Sequence, residues 1–300
     1  MSMPAPFFTI ITATRNAAAT LPRLLESLAC QTCREFELII QDGASQDGAV
    51  AVAEAWRARL PALHMASEPD AGIYDAWNKA LARVRGQWVL FLGADDRLAD
   101  AHTLELCKDI LHQALPATSY AVGGANLCNS QDCVVMTMHG QADNVSSHLP
   151  KGYAPFWQNA LFHHRSLFEK NRFDISLTIF GDYDFICRTW SDEHAIHIPF
   201  VVVSITLGGM SNNPAKLIMG RMETLRISQR YFSMRYVPWL AWAVAKASVA
   251  WGIYHVFGPA GGIKILNMLR KARGLAPTWN NNPRTTTDGS RHGKTPDSVL

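Results

Sequence analysis

A chain of 300 residues, 48% of them hydrophobic and 18% charged, is long enough for one large core or two modest ones, which excludes disorder of the whole chain. A formal net charge of +3, with no Lys/Arg run interleaved with aromatics in the first two hundred residues, argues against a nucleic-acid partner. Six cysteines are too few for a disulfide scaffold, and the start "MSMPAPFFTIITATRN" lacks the basic opening and long apolar stretch of a secretory signal, so a reducing cytosol is expected. The spacings Cys30–Cys33 and Cys128–Cys133 lack the flanking pattern of a zinc or redox site and read as reduced thiols.

The first half alternates regularly. An apolar run at Phe7–Ile11 precedes a helical pattern at Thr20–Ala29, then comes a second run at Phe36–Ile40 and helix again towards Leu60. Ala62–Ser67 reads as a third strand, Ile73–Arg85 as a helix, and Trp88–Gly93 as a fourth strand. Strands alternating with helices of about a dozen residues predict a parallel sheet covered on both faces. Near Ala117 the texture changes: strand-like pieces at Ser119–Ala125 and Val134–Met138 lead into a loop-rich stretch, and Phe180–Trp190 reads as a helix opening with Asp182 and Asp184.

Beyond Asn212 the chain becomes helical. Ala215–Phe232 is amphipathic, and Tyr236–Gly258 is apolar almost all round, interrupted by Lys246 and His255. That length suffices to span a bilayer, but a central Lys costs roughly 2.5–3.5 kcal/mol on insertion scales. Trp239, Trp242 and Trp251, with the basic Lys264–Gly274 segment, suit helices lying in the headgroup region of an anionic membrane better than a span, with a helix packed on the core or in a dimer as the alternative. From Gly262 to Leu300 seven basic residues stand against two acidic ones. The last stretch, residues 276–300, is rich in turn formers and is expected to be disordered.

In a covered parallel sheet, ligands sit beyond the carboxyl ends of the strands. All four strands run there into polar or ionisable residues: Thr12–Asn16, Gln41–Gly48, Glu68–Gly72 and Ala94–Asp96. One rim would gather Arg15, Asp42, Asp70, Asp95 and Asp96. Asp47 and Asp100 read as helix caps. The carboxylate of Asp42, followed by Gly43 and a further capping candidate at Ser45, looks free for another task. Asp95 and Asp96 are two like charges side by side, which persist in water or against a cation.

No Gly-x-Gly-x-x-Gly follows the first strand, no P-loop and no Gly-x-Ser-x-Gly elbow is present, which disfavours dinucleotide binding, P-loop nucleotide binding and α/β-hydrolase chemistry. The pieces "FTIITATRNAAATL", "ELIIQDGASQDGA", "SEPDAGIYDAWNKALARVRGQWVLFLGADD" and "FGDYDFICRTW", in this order and spacing over roughly Phe7–Ser211, resemble the inverting glycosyltransferases of family 2. The resemblance implies an α/β GT-A fold, Rossmann-like with a mostly parallel sheet, in a catalytic domain at 1–212. Residues 1–116 would be its nucleotide-sugar half and 117–212 its acceptor half, followed by a helical, membrane-associated extension at 213–275.

The same resemblance implies that Thr12, Thr14, Arg15, Asp42 and Asp70 line the pocket of a nucleotide-diphosphate sugar, with Asp42 the partner of the base. Asp95, alone or with Asp96, would hold a magnesium or manganese ion against the diphosphate. The family's metal motif often reads Asp-x-Asp-Asp, whereas Gly93 stands at its first position here. Asp182 matches the family's general base, with Gly181 in place of a common Glu and Asp184 in reserve; Arg188 reads as a salt-bridge partner of that helix. "LGGMS", Leu207–Ser211, resembles a lid loop. Trp157 and Gln158 stand where many relatives have His-Gln. His163 and His164, adjacent on a strand, point to opposite faces and read as structural.

The expected function is metal-dependent transfer of a sugar to a hydroxyl of a glycan or lipid-linked acceptor in polysaccharide biosynthesis, at the inner face of the cytoplasmic membrane. Two alternatives stand beside it. One is a sugar-phosphate nucleotidyltransferase, whose Gly-rich basic loop "TATRNAAAT" does not supply; the other is a noncatalytic nucleotide-sugar-binding or membrane scaffold protein.

Overall fold

The computed structural model describes residues 5–129, 131–206, 216–233 and 237–274. In chain order the elements are β1 (Phe8–Thr14), α1 (Leu21–Ala29), β2 (Phe36–Asp42), α2 (Ala49–Ala55), β3 (Leu63–Ser67), α3 (Ile73–Leu81), β4 (Trp88–Phe91), β5 (Arg97–Leu98), α4 (Thr103–His112), β6 (Tyr120–Cys128), β7 (Val134–Met138), β8 (Leu161–His164), α5 (Leu167–Lys170), α6 (Gly181–Thr189), β9 (Ala195–Thr206), α7 (Leu217–Tyr231), α8 (Val237–Val256) and α9 (Gly258–Ala272).

Strand periodicity builds two cores. Successive side chains of a strand leave on opposite faces. Phe8, Ile10, Leu38, Ile40, Trp88 and Leu90 therefore pack on one side, with Leu21, Leu24, Leu25 and Leu28 of α1. Ile11, Ile39, Val89 and Phe91 pack on the other, with Tyr74, Trp77 and Ala80 of α3 and with Phe168, Phe173 and Phe185. The i, i+3, i+4, i+7 leucines of α1 form the apolar stripe that such a helix must bury.

The sheet order is β3-β2-β1-β4-β8-β6-β9-β5, with β7 paired to β6. β3, β2, β1 and β4 are parallel, as their alternation with helices predicts. From β8 onward the described pairings are antiparallel: Val89 faces His163, Tyr120 also faces His163, and Arg97 faces Ser204. β1 and β2 run three and two residues past their apolar runs, because Thr12, Ala13 and Thr14 keep the ladder register with Ile40, Gln41 and Asp42. Their polar ends are therefore held as strand rather than as loop. α3 stops at Leu81, short of Arg85, whose guanidinium turns to the buried carboxylate of Glu37 at 2.8 Å.

The contacts divide the chain into two units. The first comprises Met1–Asn126, Thr137–Ser146 and Phe156–Ile205; the second comprises Leu127–Met136, Ser147–Pro155 and Thr206–Leu300. In the second unit α7, α8 and α9 bury Ile227, Leu240, Ala247, Ile263 and Leu266. No described helix is long and apolar enough to cross a membrane. Leu207–Ser211, the Trp239 side chain and the tail at 276–300 lie outside the described residues.

Candidate functional site

Asp42 ends β2 between the ends of β1 and β3, and its carboxylate ties all three strands. It accepts hydrogen bonds from the Thr14 hydroxyl at 2.9 Å, the Ser45 N–H at 2.8 Å, the Ser67 hydroxyl at 2.7 Å and the Ser45 hydroxyl. The residue is fully buried. Burial alone would raise its pKa, but the bonds donated by Ser45, Ser67 and Thr14 favour the anion, and the carboxyl sits below the ordinary range. A depressed pKa contributes stability that is present above the unfolded value and lost as pH falls through the folded one. The expectation of a free carboxylate is not met, since a carboxylate has about four acceptor sites and four donors occupy them.

The loop after β2 is stitched to the loop after β1. The Asn16 N–H donates to the Ser45 hydroxyl at 2.7 Å, the Gln46 N–H to Asn16 Oδ1 at 3.0 Å, and the Ala18 N–H to Asp47 Oδ2 at 2.8 Å. Asp47 also accepts the Ala49 N–H at the start of α2, the capping role its position predicts. Gly43 donates its N–H to the Thr14 carbonyl at 2.8 Å, and a Cβ there would collide with Asp70 Oδ2. Absence of a side chain at 43 thus lets the Asp70 carboxylate lie over the end of β2. Thr14, Asp42 and Asp70 form one group. Beside it Arg15 is exposed, and the buried Thr12 hydroxyl has no hydrogen-bond partner among the described residues.

Asp95 and Asp96 follow β4, the other parallel neighbour of β1, and they differ in depth. Asp95 is half-buried and Asp96 is 1% exposed. Asp96 Oδ2 accepts the Gly93 N–H at 2.7 Å and a bond from the Asn159 amide. Burial first, and then the charge of Asp95, push the Asp96 carboxyl up to about 7. A Cβ at Gly93 would stand 2.9 Å from Asp95 Oδ1 and 3.1 Å from Asp96 Oδ2. The glycine in place of the motif's first Asp is therefore where both carboxylates converge, and a side chain there would have to displace the Asp95 carboxylate.

Asp182 is half-buried in the first turn of α6, where the helix dipole favours an anion. Its Oδ1 accepts the Tyr183 N–H at 2.9 Å and lies 3.2 Å from the Tyr74 hydroxyl. Asp184, two residues further along the same first turn, is buried and pairs with Arg188 Nε at 3.0 Å across i, i+4. That ion pair commits Asp184 to holding the helix. The Trp157 indole is half-buried against the α1-side core, and its N–H has no partner among the described residues. His163 is buried among Phe91, Tyr120 and Phe168, and burial holds it neutral with a pKa near 3.

A family model described as glycosyl transferase family 2 matches residues 9–124. A PGL/p-HBAD biosynthesis glycosyltransferase of Mycobacterium bovis is 34% identical over 215 residues, covering 70% of this chain and 81% of the relative. The chain belongs to glycosyltransferase family 2. A cholesterol galactosyltransferase of Borreliella burgdorferi matches more briefly, at 27% identity over 81 residues, 27% of this chain and 23% of that one. Among solved structures, S. aureus TarS 1-349 in complex with UDP-GlcNAc superposes with a TM-score of 0.60 at 18% identity, covering 86% of this chain and 75% of its own. The mannosyltransferase PcManGT from Pyrobaculum calidifontis, in complex with GDP-Man and Mn2+, gives 0.59 at 18% identity, covering 91% and 82%. At those identities the likeness fixes the fold, which is GT-A.

Within this family 2 glycosyltransferase, Ser45 and three groups with no signal in the sequence, Ser67, Asn159 and Tyr74, shape the rim. Ser45 and Ser67 fill the acceptor sites of Asp42, Asn159 turns Asp96 inward, and Tyr74 reaches Asp182. Only Ser45 carries a local signal: an Asp three residues before a Ser is the spacing of a side-chain-bonded turn. The others meet their partners across 25, 63 and 108 residues of sequence, a distance over which spacing carries no information. Among the described residues no cluster of three or more His, Cys, Asp or Glu side chains could enclose a metal ion alone.

Proposed function

We propose that this glycosyltransferase is inverting and metal-dependent, and that it uses a nucleotide-diphosphate sugar held at the carboxyl edge of β1, β2, β3 and β4. The observation that carries this is the grouping of Thr14, Asp42 and Asp70 over the ends of adjacent parallel strands, with Asp95 and Asp96 beyond the next strand. Thr12, Thr14, Arg15, Asp42 and Asp70 serve the nucleoside and diphosphate side. Asp42 does so chiefly as the buried anion that fixes Thr14, Ser45 and Ser67; a base reaches it only when one of those hydroxyls turns away. The GDP-Man and Mn2+ complex of PcManGT supports a donor of this class.

A magnesium or manganese ion fits the Asp95 loop. Two hard oxygen donors converge beside Gly93, and two adjacent carboxylates repel unless a cation lies against them. Asp95 is the residue that holds the ion, and Asp96, turned to Gly93 and Asn159, fixes the loop. With no enclosing cluster among the described residues, phosphate oxygens and water would supply the remaining ligands, as is usual for magnesium. When bound, the ion neutralises charge that gathers on the departing diphosphate.

Asp182 acts as the general base: its carboxylate takes the proton of an acceptor hydroxyl as that oxygen attacks the anomeric carbon from the side opposite the leaving group. The acceptor is a hydroxyl of a glycan or lipid-linked molecule in polysaccharide biosynthesis. Family membership decides for glycosyl transfer over nucleotidyl transfer or a noncatalytic scaffold. Metal-dependent release of nucleoside diphosphate from UDP-N-acetylglucosamine, GDP-mannose or a related donor is the expected activity. If chelation leaves that release unchanged, metal dependence is wrong.

On this reading the catalytic domain is 1–212, with a nucleotide half at 1–116 and an acceptor half at 117–212, and 213–275 is an extension seated on the inner face of the cytoplasmic membrane. Trp242, Val249 and Val256 recur every seven residues on α8 and are 54%, 66% and 77% exposed, while Lys264 and Lys271 are exposed on α9. An apolar stripe with nearby cations suits an anionic bilayer. Flotation with phosphatidylglycerol vesicles, and not with phosphatidylcholine alone, is expected. Replacing Trp242, Val249 and Val256 together with Ser should abolish it, and full flotation of that variant would remove the stripe from the membrane contact.

A further inference from the structure

Tyr74 stands where the donor side of the rim meets Asp182. It is the second residue of α3, directly after the Asp70–Gly72 loop, in which the Asp70 carboxylate over Gly43 also accepts the Gly72 N–H at 3.0 Å. The side chain is 4% exposed. Trp77 meets its ring edge-on at 5.5 Å between centroids and Phe173 stacks on it at 5.8 Å. A third side is closed by α6: a Cβ at Gly181 would stand 2.8 to 2.9 Å from three ring carbons. Any side chain at 181 would push the ring away. Glycine there, in place of the family's common Glu, is the residue that admits Tyr74.

The clamped ring leaves its hydroxyl one location, with two acceptors in reach: the Ile179 carbonyl at 2.6 Å and Asp182 Oδ1 at 3.2 Å. A phenol has one proton to give. Donated to Ile179, it fixes the loop that carries Asp182; donated to Asp182, it fixes the carboxylate itself and favours its charged form. We infer that Tyr74 is a positioning residue for transfer: its hydroxyl, held by Trp77, Phe173 and the bare backbone of Gly181, sets the Asp182 carboxylate relative to the donor loop of Asp70. This rests on the reading of Asp182 as base. The neutral phenol is well suited to the task, since burial and then the Asp182 charge hold its pKa well above the ordinary tyrosine value. Packing replaces freedom here, which is how a reacting group is kept within the fraction of an ångström that transfer needs.

Tyr74→Phe keeps the ring and removes only the hydroxyl. In the full chain, with Mn2+ and whichever of UDP-N-acetylglucosamine or GDP-mannose the unaltered protein turns over faster, kcat for nucleoside diphosphate release is expected to fall about tenfold. The Kd of the matching UDP or GDP should stay within about twofold, because no donor contact is lost. The acidic limb of kcat/KM should move to higher pH, since a bond donated to the carboxylate is removed. In an Asp182→Asn background the same change should have no further effect on the residual release. The pH limb and the double variant decide the matter even if the Phe variant melts lower, because neither follows from a looser fold. An unchanged kcat and limb with Asp182→Asn impaired, or a full repeat of the loss in the Asp182→Asn background, overturns the role of Tyr74 alone. Full activity of Asp182→Asn removes the base, and this inference with it.

Discussion

Asp182→Asn is expected to slow glycosyl transfer on the order of a thousandfold while leaving donor affinity within about twofold, the range a positioned general base contributes. The substitution is nearly isosteric and the amide oxygen can still accept the Tyr183 N–H at the start of α6, so the helix should stay in place. What is lost is the group that takes a proton. Asp184→Asn provides the contrast. Its partner Arg188 lies 3.0 Å away on the same helix, so removing the charge is expected to lower melting temperature and to leave the pH limb of transfer where it was. Steady-state kinetics of both variants with one donor separates the roles; a larger kcat loss in Asp184→Asn than in Asp182→Asn would reverse the assignment.

The second large effect falls on the loop after β4. Asp95→Asn is expected to weaken Mn2+-dependent donor binding about a hundredfold, because a neutral amide is a poor ligand for a hard cation. Asp96→Asn should cost much less. The buried side chain accepts bonds from Gly93 and Asn159, which an amide oxygen can also accept, and its charge faces the protein rather than the donor. Calorimetric titration of UDP or GDP in the presence of Mn2+ distinguishes the two. If Asp96→Asn proves the more damaging, the ion is held by Asp96, and Asp95 takes the supporting part.

The parallel half of the fold was legible because its forces are local and periodic. Apolar runs at Phe7–Ile11, Phe36–Ile40 and Trp88–Gly93, separated by helical spacing, can bury themselves only as covered strands, and they do. The antiparallel half was less so. β9 (Ala195–Thr206) contains Pro199 and mixes buried with exposed positions without strict alternation, so neither of the usual strand signals marks it. At the site, the residues that end strands were readable from position, since the carboxyl edge is fixed by topology. Their bonding was not. Whether Asp42 is free or saturated depends on Ser67, and whether Asp95 or Asp96 faces outward depends on Asn159, partners that only the folded sheet brings near.

The measurement that bears most directly on the central claim is thermal melting of the full chain with UDP-N-acetylglucosamine or GDP-mannose, each with Mn2+ and again with EDTA. A ligand that binds only the folded state raises the melting temperature by mass action. The expected result is a rise for at least one nucleotide sugar with Mn2+, lost with EDTA and lost in Asp95→Asn. A rise of equal size under chelation and in the Asp95→Asn variant would contradict the account, for the donor would then bind without the acidic loop after β4.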